Sequence, residues 1–171
     1  MEDELLDIVD EKDNIVGQKW RSAYLREGLS EGQSVRVINI LLFNSKGQLL
    51  VPKRSMNRRA FSGCYDFSCG EYVQAGEDYF TAAKRGIKEE LGLVNVELEE
   101  LGKLSKKEGV SSYMKVYRVM YGGEITNYDR EGIDELNYLF PKEVERLYHQ
   151  NPKKFKDDFA VVFNWFSKNF S

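Results

Sequence analysis

The sequence predicts an α+β fold, a mixed β-sheet held between helices. Three observations carry this. Paired strand signals alternate with isolated helical segments along the chain. Residues 35–43 form a β-branched, apolar run that suits a central strand. Residues 78–91 and 155–170 place their apolar side chains at helical spacing, so each helix offers one face to a core. A length of 171 residues fits one domain, residues 1–171, with an N-terminal hairpin at about 3–20 and a C-terminal helix at about 155–170.

The elements follow in order. Residues 5–9 read as a strand, 10–14 as a turn and 15–20 as the returning strand. Residues 21–27 form a short helix stopped by Gly28. In the central strand, Arg36 needs a charge partner if its side chain is buried. The turn Asn44-Ser45-Lys46-Gly47 leads to a hairpin partner at 48–52. Residues 53–63 are a basic loop, and 65–73 hold short extended pieces. After the helix at 78–91, strands are expected at 97–103, 115–121 and 135–140, with a loop at 127–132. Pro141 suits the first turn of a helix ending near Gln150. In the last helix Phe159, Val162, Phe163 and Phe166 make a core stripe.

Composition bounds the function. Hydrophobic residues make up 42% and charged residues 31%, with a net charge of -3. That balance argues against a nucleic-acid polymer as partner. No apolar run approaches the ~20 residues that span a bilayer, and residues 1–14 lack a signal-peptide pattern. The expected location is cytoplasmic, with Cys64 and Cys69 as reduced thiols. The single histidine, His149, sits in a polar stretch and reads as solvated. One histidine excludes metal sites built from two or three of them, and Ser-His-Asp catalysis. A homodimer is compatible with the sequence.

The chemistry concentrates in GEYVQAGEDYFTAAKRGIKEELGL, from Gly70 to Leu93. On the helix, Phe80, Ala83, Ile87 and Leu91 share a face expected to bury against the sheet. Arg85 and Glu89 stand four apart and can pair. Glu89 and Glu90 form an acidic pair next to Gly86, where a third carboxylate would complete a cluster. Mg²⁺ commonly takes one or two carboxylates, with waters and phosphates filling its remaining positions. Such a pair is also compatible with a solvated helix face.

The spacing resembles the Nudix box, G-x5-E-x7-R-E-U-x-E-E-x-G-U with U apolar. Glu77, Arg85, Ile87, Glu89, Glu90, Gly92 and Leu93 match it. The segments LLDIVDEKDNIVG, VINILLFNSKGQLLVPKRS and YDFSCGEYVQAGEDY resemble the Nudix subgroup close to type I isopentenyl-diphosphate isomerases. The resemblance implies an α/β/α sandwich and hydrolysis of a small diphosphate with Mg²⁺, or Mn²⁺ as the alternative ion. It implies that Glu89 and Glu90 bind metal with the Gly70 carbonyl, that Arg85 orients a glutamate, and that Glu77 supports the loop-helix geometry. A further glutamate, Glu131 or Glu135, would join as ligand or base. Lys53, Arg54 and Arg58 could grip the diphosphate, though Arg58 and Arg59 equally suit a solvated loop.

Two positions depart from the box. Glu71 stands at its first glycine; a positive φ there would strain it unless Gly70 absorbs the bend. Alternatively, the Glu71 carboxylate reaches the metal in place of the missing acid. Gly86 stands at the glutamate after arginine and removes a ligand, so Gly86→Glu is expected to raise the rate. Three readings follow: a Nudix hydrolase of a nucleoside diphosphate derivative or related diphosphate, a degraded module that only binds such a ligand, and an isomerase-like protein. The last is disfavoured, because the region around Cys69 lacks the histidines that chemistry uses.

Overall fold

The described residues, 3–170 of a computed structural model, carry eight strands and four helices. Residues 1, 2 and 171, the ends of the expected domain, lie outside them. The N-terminal hairpin pairs β1 (Leu5–Val9) with β2 (Ile15–Trp20). α1 (Arg21–Glu27) follows and ends at Gly28. The larger sheet runs β6 (Glu99–Leu104), β7 (Tyr113–Met120), β3 (Arg36–Phe43), β4 (Leu49–Arg54) and β8 (Ile133–Leu139). It is mixed: β3 lies parallel to β7, and the other neighbours are antiparallel.

β3 explains the sandwich. Ile38, Ile40 and Leu42 pack on one side with α2 (Tyr79–Leu91). Leu41 and Phe43 pack on the other with α4 (Phe159–Phe170). A strand covered on both faces has no solvent side, so its sequence is a continuous apolar run rather than an alternating one. The second core is aromatic: Phe159 lies 5.3 Å from the Phe67 ring and 5.0 Å from that of Phe155. α3 (Pro141–Gln150) begins at Pro141 and adds Val144 to that core.

One irregularity makes room for the site. β4 meets β3 only at Phe43 and Leu49 and then diverges. β5 (Cys69–Tyr72) takes the vacated edge and pairs with β3 from Val37 to Ile40. Ser68 closes the fork: its Oγ accepts from the Leu42 N–H at 2.9 Å and donates to the Leu50 carbonyl at 2.6 Å. The hairpin is tied in by Asp13, which accepts from Arg36 Nε at 2.7 Å. Arg36 thereby finds the partner its burial requires.

α2 has a defined start and stop. The Asp78 carboxylate accepts from the Thr81 N–H at 2.7 Å, and Gly92 ends the helix in the left-handed region at φ 66°. Asp78→Ala should cost about 1 kcal/mol, a fall of about 2–4 °C in Tm for a chain of this size. Thermal unfolding checks it.

The helix is rotated from the expected face. Ala82, Ala83, Gly86, Ile87 and Leu91 are buried, whereas Phe80 is 44% exposed and packs at the edge near Tyr117. The last helix starts at Phe159 rather than 155, after a short 3₁₀ turn at Pro152–Lys154 and a left-handed Asp158.

Candidate active site

β5 and the end of α2 floor a cavity of about 1080 Å³. Gly70, Glu71, Glu89 and Glu90 line it below; Arg54 and Arg58 of the basic loop, Arg21 and Tyr24 of α1, and Lys156 line its walls.

Arg85 organises the floor. Its Nε donates to Glu77 at 2.9 Å, and its Nη2 donates to Glu77 at 3.1 Å and to the Tyr72 carbonyl at 2.8 Å. Its Nη1 donates to Glu89 at 3.2 Å and lies 3.8 Å from Glu71. Burial disfavours the Arg85 charge, but Glu77, Glu71 and Glu89 more than offset this and raise its pKa.

Glu90 is partly buried, and its Oε1 accepts from the Gly70 N–H at 3.3 Å. Burial, then Glu71 and Asp66, push its carboxyl well above the usual range. Glu71 is raised as well, first by burial, with Arg85 opposing. The two carboxyls face the same cavity, and the charge of each opposes ionisation of the pair. The pair therefore keeps its protons to a higher pH than the same groups do in the unfolded chain. The metal-free fold should therefore lose stability as pH rises above the ordinary glutamate range, because the unfolded state binds fewer protons there. A divalent cation that replaces those protons should stabilise more as pH rises. Tm scans from about pH 5 to about pH 8, with and without Mg²⁺, test this; a Mg²⁺ gain that shrinks with pH would contradict it.

The donor chemistry fits a hard divalent cation. Among the described residues, no three Asp, Glu, His or Cys side chains gather as a ready-made metal group. The fit is that of a site with two partly buried carboxylates, completed by waters and phosphate oxygens.

Gly86 sits directly against β5. A Cβ at that position would lie 2.7 Å from Glu71 Cγ, 3.3 Å from Glu71 Cβ and 3.1 Å from Cys69 Sγ. The expectation about strain at Glu71 is corrected: neither Gly70 nor Glu71 has a positive φ, and both are ordinary strand residues paired with β3.

The NUDIX domain family matches residues 33–163, most of the chain and all of this floor. The chain belongs to the Nudix family. An uncharacterized Nudix hydrolase from Nostoc sp. is 41% identical over 157 residues, covering 88% of this chain and 89% of that one. The crystal structure of DR0079 from Deinococcus radiodurans superposes with a TM-score of 0.84 at 30% identity, covering 95% of this chain and 98% of that one. An isopentenyl-diphosphate Delta-isomerase from Serratia proteamaculans is 30% identical over 108 residues, 63% of this chain and 58% of that one.

The Nudix helix brings Glu89 and Glu90 to the cavity with Gly70 and Glu71, while Glu77 stays behind Arg85. Arg54 reaches the wall and pairs with Asp66 at 2.7 Å; Arg58 reaches it and pairs with Asp129 at 3.0 Å. Lys53 does not line the cavity, because it pairs with Glu135 at 3.1 Å on the adjoining strand. Neither Glu131 nor Glu135, the two candidates for a distal ligand, lines it either; the acidic residues of the wall are Asp3, Glu4, Asp66, Asp129, Asp157 and Asp158. Arg21 and Lys156 escaped sequence reasoning. Arg21 lies over the Tyr72 ring at 4.9 Å, and Lys156 Nζ is 3.3 Å from Asp66. Both come from segments distant in sequence from the box and carry no local motif. Among the described residues no helix is long and apolar enough to cross a membrane.

Proposed function

We propose that this Nudix protein hydrolyses a diphosphate linkage in a nucleoside diphosphate derivative or a related small diphosphate, with Mg²⁺ or Mn²⁺. The observation that carries this reading is the partly buried Glu71–Glu90 pair on the floor of an arginine-walled cavity. Glu90 and Glu71, with Glu89 and the Gly70 carbonyl, would hold the ion. When bound, the ion neutralises charge developing on the phosphate oxygens and acidifies water. Arg85 fixes Glu89 and Glu77 and keeps charge balanced beside Glu71. Glu89, 57% exposed and paired with Arg85, would accept the proton of the attacking water. Arg21 and Arg58 each keep a buried Nε–H without a partner among the described residues, spare donors for a phosphate.

The isomerase reading is weaker. Moving a proton on carbon requires groups that touch the substrate. Cys69 is fully buried in the α2 core and does not line the cavity, and burial, then Glu90 and Glu71, raise its thiol pKa. His149 lies exposed on α3 beside Glu145. A panel of nucleoside diphosphate derivatives and isopentenyl diphosphate, screened together for metal-dependent binding and turnover, separates the readings. Turnover of a diphosphate supports hydrolysis, tight binding without turnover supports a binding module, and isomerised product overturns both.

A further inference from the structure

We infer that the two departures from the box are one reciprocal exchange: the acid missing from position 86 is supplied by Glu71, whose side chain occupies the space that Gly86 vacates. This rests on the reading of the floor as a divalent-cation site and identifies the residue that completes it. In sequence the departures are a gained acid at 71 and a lost one at 86, connected only by residue type. In the structure they touch. Cys69 and Glu71 alternate onto the face of β5 that meets α2. Gly86 is the helical residue opposite them, and a Cβ there would collide with the Glu71 stem. The Glu71 stem fills that gap, and Glu71 lines the cavity together with Glu90, which stands one helical turn beyond Gly86. Arg85, adjacent to the gap in sequence, lies 3.8 Å from the same carboxylate. A strand residue thus delivers its acid to the spot that a helix residue would otherwise serve. Each half of the exchange requires the other: a large residue at 86 excludes the Glu71 rotamer, and a glycine at both positions leaves the floor with one carboxylate fewer.

This reverses the expectation for Gly86→Glu. The added side chain has no room while Glu71 is present, so the single change should weaken the site. Mn²⁺ affinity of the substrate-free protein, measured by titration, and Tm provide readouts independent of turnover. Glu71→Gln keeps the shape and removes the charge; it should lower Mn²⁺ affinity about 10–100-fold, the range seen when a metal site loses a supporting group, with Tm retained. Gly86→Glu should lower both affinity and Tm. Glu71→Gly combined with Gly86→Glu should recover affinity to within about 10-fold of the unaltered chain, well above either Glu71→Gly or Gly86→Glu alone. Unchanged Mn²⁺ affinity in Glu71→Gln overturns the inference, and so does a Gly86→Glu single variant that binds Mn²⁺ more tightly without loss of Tm. If the unaltered chain fails to bind Mn²⁺ or Mg²⁺ at all, the metal-site reading itself has failed, which is a distinct result.

Discussion

Glu90→Gln is expected to reduce metal-dependent diphosphate hydrolysis by about 10²-fold or more, because a lost ligand weakens the hold on the ion that stabilises the reacting phosphate. The change isolates charge from shape. In the metal-free protein Glu90 holds a proton because burial, Glu71 and Asp66 all oppose its ionisation. Glutamine resembles that protonated form and can still accept from the Gly70 N–H through its amide oxygen. Folding should therefore survive, and the variant should lose less stability than the unaltered chain as pH rises. Binding of a cation, in contrast, requires the carboxylate. Mg²⁺ should raise the Tm of Glu90→Gln little, and that small gain should not grow with pH. Steady-state kinetics at saturating Mg²⁺ provide the check; turnover equal to that of the unaltered chain would remove Glu90 from the site.

Much of this was legible because the signals are local. The start and stop of α2 are written in Asp78 and Gly92, and that of α3 in Pro141, each by side-chain or backbone chemistry within one turn. Helical spacing alone pairs Arg85 with Glu89, whereas the place of Glu77 follows only from the resemblance to the box. What the sequence hid depends on contacts between distant segments. The parallel pairing of β3 with β7 and the handover from β4 to β5 at Ser68 have no local signature. The facing of α2 was misread for a related reason. A hydrophobic stripe through Phe80 assumes that only apolar residues are buried, yet the helix turns Gly86 and Glu90 inward and leaves Phe80 at the edge. Residue type alone selects Glu131 and Glu135 as distal acids, and neither lines the cavity. Register decides otherwise: Glu135 stands opposite Lys53 across the β4–β8 ladder and is drawn to that ammonium.

Arg85→Ala should be the most destabilising single change at the site, by about 3–5 kcal/mol, the cost of removing one partner from a buried ion pair. The guanidinium side chain is 17% exposed, and the carboxylates of Glu77 and Glu71 are 17% and 18% exposed. Truncation leaves both acids with little access to water and also strips a donor from the Tyr72 carbonyl. On the usual scaling this is a loss of about 10 °C or more in Tm. Arg85→Lys should recover only part of it, because a single ammonium cannot span Glu77, Glu89 and the Tyr72 carbonyl as the planar fork does. Lys53→Ala offers the contrast: its pair with Glu135 is open to solvent at 35% and 54% exposure, and its loss should cost under about 1 kcal/mol. Thermal denaturation of the three variants ranks them directly. An Arg85→Ala protein as stable as Lys53→Ala would mean that Glu77 and Glu71 relax into water or take up protons at little cost, and that the floor of the cavity does not depend on this arginine to stay assembled.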